Sequence, residues 1–194
     1  TKTTESFFEP SLDYLVVKYP RWDLEKFDKV DTRIGSEMKS VGEVMSIGRN
    51  FEEAIQKAIR CLQIGSDGFT DTNHDAPDLK ESLRAPTHKR MFAIARAFEE
   101  GMSVEDIYAL TKIDRWFLEK LHHIYVLKNK IKKAKTLSKE LLKEAKLYGF
   151  SDQRIAELRG VTEEEVYKTR ARVKLYPAIK QIDTLAAEFP AKTN

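Results

Sequence analysis

Cysteine is almost missing from this chain: Cys61 stands alone in 194 residues, so neither an intramolecular disulfide nor a Cys-paired zinc site can form. A chain without disulfides suits a reducing compartment, and the expected location is the cytoplasm. Glycine and proline are sparse, at 8 and 6 residues. Neither GxGxxG nor GxxxxGKS/T occurs, and the spaced Gly42 and Gly48 in MKSVGEVMSIG lack the lysine-hydroxyl ending of a phosphate loop. No apolar run approaches the ~20 residues of a membrane-spanning helix, so no membrane partner is expected. The opening, TKTTESFFEPSLDY, lacks the basic-then-apolar layout of a secretory signal, and its first residue, Thr1, suits an excised piece of a longer chain. No Ser-His-Asp or Cys-His order stands out, and Cys61 sits in a helical pattern as a small apolar residue would. As a free-standing enzyme the chain looks empty.

Charge is abundant and nearly balanced, 34 Lys plus Arg against 31 Asp plus Glu, for a formal charge of +3. At this length a fold hides about 70% of the surface its unfolded chain exposes, so a core is affordable without staples. Residues 13 to 19 read as a strand closed by Pro20, and 22 to 30 as irregular with apolar anchors. The strand has no evident partner, so its edges are open. Residues 1 to 40 are therefore expected to fray or to pair with another copy. Asn50, with Glu53 three residues on, caps a helix carrying Phe51, Ala54, Ile55, Ala58 and Leu62 on one face. Between Gln63 and Thr87 the periodicity dissolves, which marks the best domain boundary.

Beyond it the pattern is helical almost throughout. HKRMFAIARAFEEG (88 to 101) ends at Gly101, Ser103 with Asp106 starts a short helix to Leu110, and Asp114 opens a helix of about five turns. Three more follow, the last opened by Thr162 and Glu165 in capping-box register. Six or seven helices follow a single strand, and without a fixed repeat a solenoid is not expected.

Three constellations have competing readings. Glu119 and His123 share a helix face, which suits either a zinc pair lacking a nominated third ligand or a solvated polar face; neighbouring His122 diverges from His123 by about 100°. His74 and His88 fall in loop-like, surface sequence. From Lys128 to Lys146 there are eight lysines against two glutamates, a solvated face or a phosphate-binding one, with Tyr125 and Tyr148 only at its ends. FSDQRIAELRGVTEEEVYKTRARVKL has helix-turn-helix grammar, with Arg170, Arg172 and Lys174 on the second helix. The turn that would enter a major groove, however, carries Glu163, Glu164 and Glu165. A nucleic-acid-binding helical domain stays as the alternative function.

The runs FFEPSLDYLVVKYPRWDLEKF, MKSVGEVMSIGRNFEEAIQKAIR, SVEDIYALTKIDRWFLEKL, GFSDQRIAEL and PAIKQIDTLAAEFPAKTN closely resemble the large subunit of carbamoyl-phosphate synthase. The resemblance covers essentially the whole chain. Two departures are Tyr19, where isoleucine is expected, and residues 65 to 84, which show little similarity. What the resemblance implies is a mainly α fold: the end of the first, carboxyphosphate-forming ATP-grasp module at 1–61, a short α+β remnant, followed by a non-repeating, all-α oligomerisation domain at 62–194. The parent enzyme of such a chain makes carbamoyl phosphate from bicarbonate, glutamine-derived ammonia and two ATP, for arginine and pyrimidine synthesis. It works with a glutamine amidotransferase subunit or domain, and with ATP and Mg, Mn or K. Neither ATP site falls within residues 1–194, so no catalytic, cofactor or metal residue is expected here, and the fragment alone is expected to be inactive. The SVGEVM segment implies that Glu43 lines the family's carbamate channel, with Met38 and Val41 as neighbours; a structural role for Glu43 is the other reading. The expected role is a scaffold that self-associates, with Trp116, Phe117, Leu121 and Tyr125 serving either core or subunit interface.

Overall fold

Alternation with a period of two builds the first element. In the strand β1 (Leu15–Arg21), Val17 and Tyr19 turn inward while Val16 and Lys18 face solvent. Its antiparallel partner β2 (Gly42–Gly48) places Val44 opposite Tyr19 and Ser46 opposite Val17 on the inner face. The outer face pairs Lys18 with Met45 and Pro20 with Glu43. The structure, a computed structural model, describes residues 12–71, 78–179 and 181–183. Two expectations are corrected here. β1 runs through Pro20 to Arg21, because the proline's missing N–H faces no third strand among the described residues. And β1 has a partner within the chain, so residues 12 to 40 neither lack a neighbour nor require a second copy; residues 1–11 lie outside the described region.

The twenty residues linking the strands, 22 to 41, are held by a few anchors. A single 3-10 turn at Leu24–Lys26 buries Leu24, and Ile34 N–H donates to the Pro86 carbonyl at 2.6 Å. From β2 the chain enters α1 (Phe51–Cys61) through Asn50, whose side chain accepts from Glu53 N–H at 2.8 Å. The stretch expected to lack pattern holds α2 (Leu79–Arg84), capped by Asp78, and Phe69 just before the undescribed residues 72–77 is fully buried. His74 lies among those undescribed residues.

The remaining helices follow their caps closely: α3 (Arg90–Glu99), α4 (Val104–Thr111), α5 (Arg115–Lys133), α6 (Lys139–Leu147), α7 (Asp152–Arg159) and α8 (Glu163–Arg172). Both capping boxes form, Ser103 with Asp106 and Thr162 with Glu165. Eight helices and two strands are thus described, against six or seven helices and one strand expected. Helices α3 and α5 pack on each other and contribute Phe92, Ile94 and Phe98, and Leu118, Leu121, Ile124 and Ile131, to one apolar cluster that extends from Tyr19 to Val166.

Candidate functional site

Helix α1 links the hairpin to the helical body, and polar contacts fix it there. The carbonyls at the end of α6 and in the turn just beyond it lack helical partners, and α1 with its cap supplies them: Asn50 donates to Leu147 O at 3.0 Å, Gln56 to Tyr148 O at 2.5 Å and Arg60 to Gly149 O at 2.8 Å. Gly149, at φ +85°, lets the backbones meet; a Cβ there would lie 2.9 Å from Glu53 Cα. One turn before Gln56 on α1, Glu52 is only 1% exposed. Its Oε1 lies 2.9 Å from His123 Nδ1 and 3.6 Å from Lys120 Nζ, while the His123 ring meets Tyr148 edge-on at 4.4 Å.

This geometry resolves the histidine pair. His123 pairs with Glu52, 71 residues away in sequence, rather than with Glu119 one turn back. His122 packs on Phe98 and Tyr125. Among the described residues no group of three or more His, Cys, Asp or Glu is placed to hold a metal ion. The basic stretch is partly neutralised: Lys128 pairs with Glu99, Lys130 with Glu144 and Lys146 with Asp152.

The α7–α8 pair is locked from within. Arg170 Nε and Nη2 donate to both Asp152 oxygens at 2.7–3.1 Å, and Nη1 donates to Leu175 O at 2.9 Å. Burial alone would raise the Asp152 carboxyl, but the hydrogen bonds from Arg170 and Lys146 outweigh it and hold the pKa below the ordinary value. A recognition helix needs its basic residues free. Here Arg170 is spent inside the fold and the first turn is acidic, so the nucleic-acid reading finds no support.

Two surfaces remain. On the outer face of the hairpin Glu43 is exposed and pairs with Lys18 at 2.9 Å. Val41, held through its N–H to Arg21 O, and Met38 are both exposed, with Met38 almost fully so. Met45, on the same face of β2 as Glu43, and Val16 on β1 are exposed as well. Glu43 is hydrated, so it has no need of a buried partner. The second surface is aromatic: Phe51, Trp116 and Phe117 meet edge-on, with centroids 5.0–5.7 Å apart. Trp116 and Phe117 remain 46% and 44% exposed, whereas Leu121 is buried and Tyr125 stacks on Phe98. The four α5 residues left open between core and interface therefore divide into two inside and two outside.

Comparison with known proteins accords with this architecture. The family described as carbamoyl-phosphate synthetase large chain, oligomerisation domain, matches residues 43–174. The multifunctional protein pyr1-3 of Dictyostelium discoideum is 51% identical over 198 residues, covering 100% of this chain and 9% of the relative. The multifunctional protein URA2 of Saccharomyces cerevisiae is 50% identical, again covering 100% of this chain and 9% of the relative. A carbamoyl-phosphate synthase [ammonia], mitochondrial, of Rattus norvegicus is 47% identical over 98% of this chain and 13% of the relative. The chain spans about a tenth of the length of these relatives. With a match over most of its described helices, the chain belongs to the carbamoyl-phosphate synthetase large-chain oligomerisation-domain family.

Proposed function

We propose that these residues are the central scaffold of a carbamoyl-phosphate synthase large chain, and that they associate with another copy through the patch formed by Phe51, Trp116 and Phe117. The exposed aromatic cluster is the observation that carries the association: about half of two large rings is left in water beside a packed core, and aromatic residues of this kind anchor interfaces. Sedimentation of the wild-type chain and of a W116S/F117S variant tests it. The expected result is a concentration-dependent oligomer that the variant reduces to monomer with an unchanged helical signal; a monomeric wild type, or an oligomer indifferent to the substitutions, overturns it.

In the same reading the parent makes carbamoyl phosphate from bicarbonate, glutamine-derived ammonia and two ATP. It does so with a glutamine amidotransferase subunit or domain, and with ATP and Mg, Mn or K bound outside residues 1–194. The hairpin closes the first ATP-grasp module, and the product feeds pyrimidine and arginine synthesis. Glu43, Met38 and Val41 then form one wall of the carbamate passage, a reading supported by their common exposure to solvent. In the parent, Glu43→Ala is expected to leave ATP hydrolysis running while carbamoyl phosphate yield falls; unchanged coupling of the two would remove Glu43 from the passage. A cytoplasmic location belongs to this reading, and cell fractionation tests it, since the Rattus relative is named mitochondrial.

A further inference from the structure

Beside the exit of β1 and the start of α3 the surface is indented. Two adjoining cavities, about 200 and about 380 Å³, share Tyr19, Pro20, Trp22 and His88. The larger is walled by apolar side chains, including Ile34, Ile55, Met91, Ile94 and Ile113. Grooves of this size and lining, with a few polar groups, are the usual form of a binding site.

The charges around it pair off with one left over. Asp23 accepts from Arg21 at 3.1 Å and from Lys26 at 2.7 Å. Glu25 pairs with Lys89, and its Oε1 lies 3.6 Å from His88 Nε2. Arg90, which lines the larger cavity, is half-buried; its backbone N–H donates to Thr87 O, while its guanidinium has no partner among the described residues. Burial pulls its pKa below the ordinary arginine value, with no counter-ion acting the other way. His88 Nδ1 is buried nearby without a partner. A half-buried guanidinium without a counter-ion is costly, and its planar fork matches a carboxylate. With Asp23 and Glu25 matched by Arg21, Lys26 and Lys89, the Arg90 guanidinium is the charge left to be met, and a single carboxylate meets it.

We propose that this groove docks a segment of the same large chain from outside these 194 residues, presenting an Asp or Glu carboxylate to Arg90 and an apolar side chain against Trp22 and Met91. Two observations choose that occupant: the single unmatched positive charge inside apolar walls, and a chain that amounts to 9–13% of its relatives, leaving most of the polypeptide available to fill the groove. The proposal rests on the reading of this chain as part of a longer large chain.

The test compares Arg90→Met in two settings. In the 194-residue chain, loss of an unpaired cation is expected to leave the melting temperature unchanged or raise it. In the full large chain the same variant is expected to lower it by several degrees, and Arg90→Lys to recover part of the loss. A fall in the 194-residue chain would assign Arg90 an internal partner, and equal stability in the full chain would leave it without one; either result overturns the proposal. A photocrosslinking phenylalanine analogue at Met91 of the otherwise unaltered full chain gives an independent reading. A crosslink to an Asp- or Glu-bearing peptide elsewhere in the same chain supports docking, whereas a crosslink only to another subunit, or none, overturns it. Failure of the synthase reading would appear separately, as a parent that makes no carbamoyl phosphate.

Discussion

Replacing Arg170 with methionine removes a guanidinium that is 11% exposed and leaves Asp152, equally buried, with only Lys146 at 3.0 Å. Breaking a buried pair costs about 3–5 kcal/mol, and the remaining lysine argues for the lower end, about 3 kcal/mol. At about 2–4 °C per kcal/mol for a chain of this size, the melting temperature should fall by about 6–12 °C. Urea unfolding of the 194-residue chain measures the loss directly. Asp152→Asn and the double variant complete a cycle in which the coupling should be about 2 kcal/mol, because the two residues share three of the four Arg170 hydrogen bonds. A loss below about 1 kcal/mol for Arg170→Met, or a coupling within about 0.5 kcal/mol of zero, would refute the view that this pair locks α7 to α8.

Acid should expose the same pair. The lowered folded pKa of Asp152 means that its contribution is complete above the ordinary value of 3.8 and is lost as pH falls through the lower folded one, so the stability gap between wild type and Arg170→Met should narrow below pH 3.8 in urea titrations. Gly149→Ala forces a Cβ into left-handed backbone and against Glu53, and about 2–4 kcal/mol of destabilisation is expected by the same assay; a neutral result would mean the α6–α7 turn does not sit tightly on α1. Glu43→Gln, which breaks only an exposed pair with Lys18, should leave the unfolding midpoint unchanged, and a clear shift would give Glu43 a structural role. The isolated chain should show no saturable ATP binding by calorimetry at micromolar concentrations.

Local chemistry was legible in the sequence and distant chemistry was not. Asn50, Ser103, Asp114 and Thr162 cap helices because a cap lies within three residues of the amide it serves. Strand β2 was missed because the glycines at both ends of GEVMSIG hide a short alternation that only pairing with β1 makes visible. Helix α2 was missed because six residues between turn-rich flanks give too little periodicity to detect. The His123 pairing was obscured by Glu119, a plausible local partner, when the actual one lies 71 residues back. Leu121 and Trp116 carry the same apolar signal in sequence, and only the packing of α3 and α1 around α5 decides which is covered. Met38, Val41 and Glu43 came from family resemblance, since nothing in their spacing singles them out. Arg90 gave no signal, because an unpaired charge is visible only once every other charge around it has found a partner.

The long connection from Arg21 to Gly42 bears on the order of events in folding. Bringing β1 to β2 closes a loop of twenty residues with little regular structure, an entropic cost roughly 1.4 kcal/mol above that of a four-residue turn, set against seven paired positions and one half-covered face. Helices α3 to α8 are joined by short turns and need no such closure. During synthesis β1 emerges before the helices described here, yet it gains its inner-face contacts only after α1 has formed. The hairpin that bears Glu43 should be the last element to assemble and the first to open, with its amides exchanging with solvent well before those of α5.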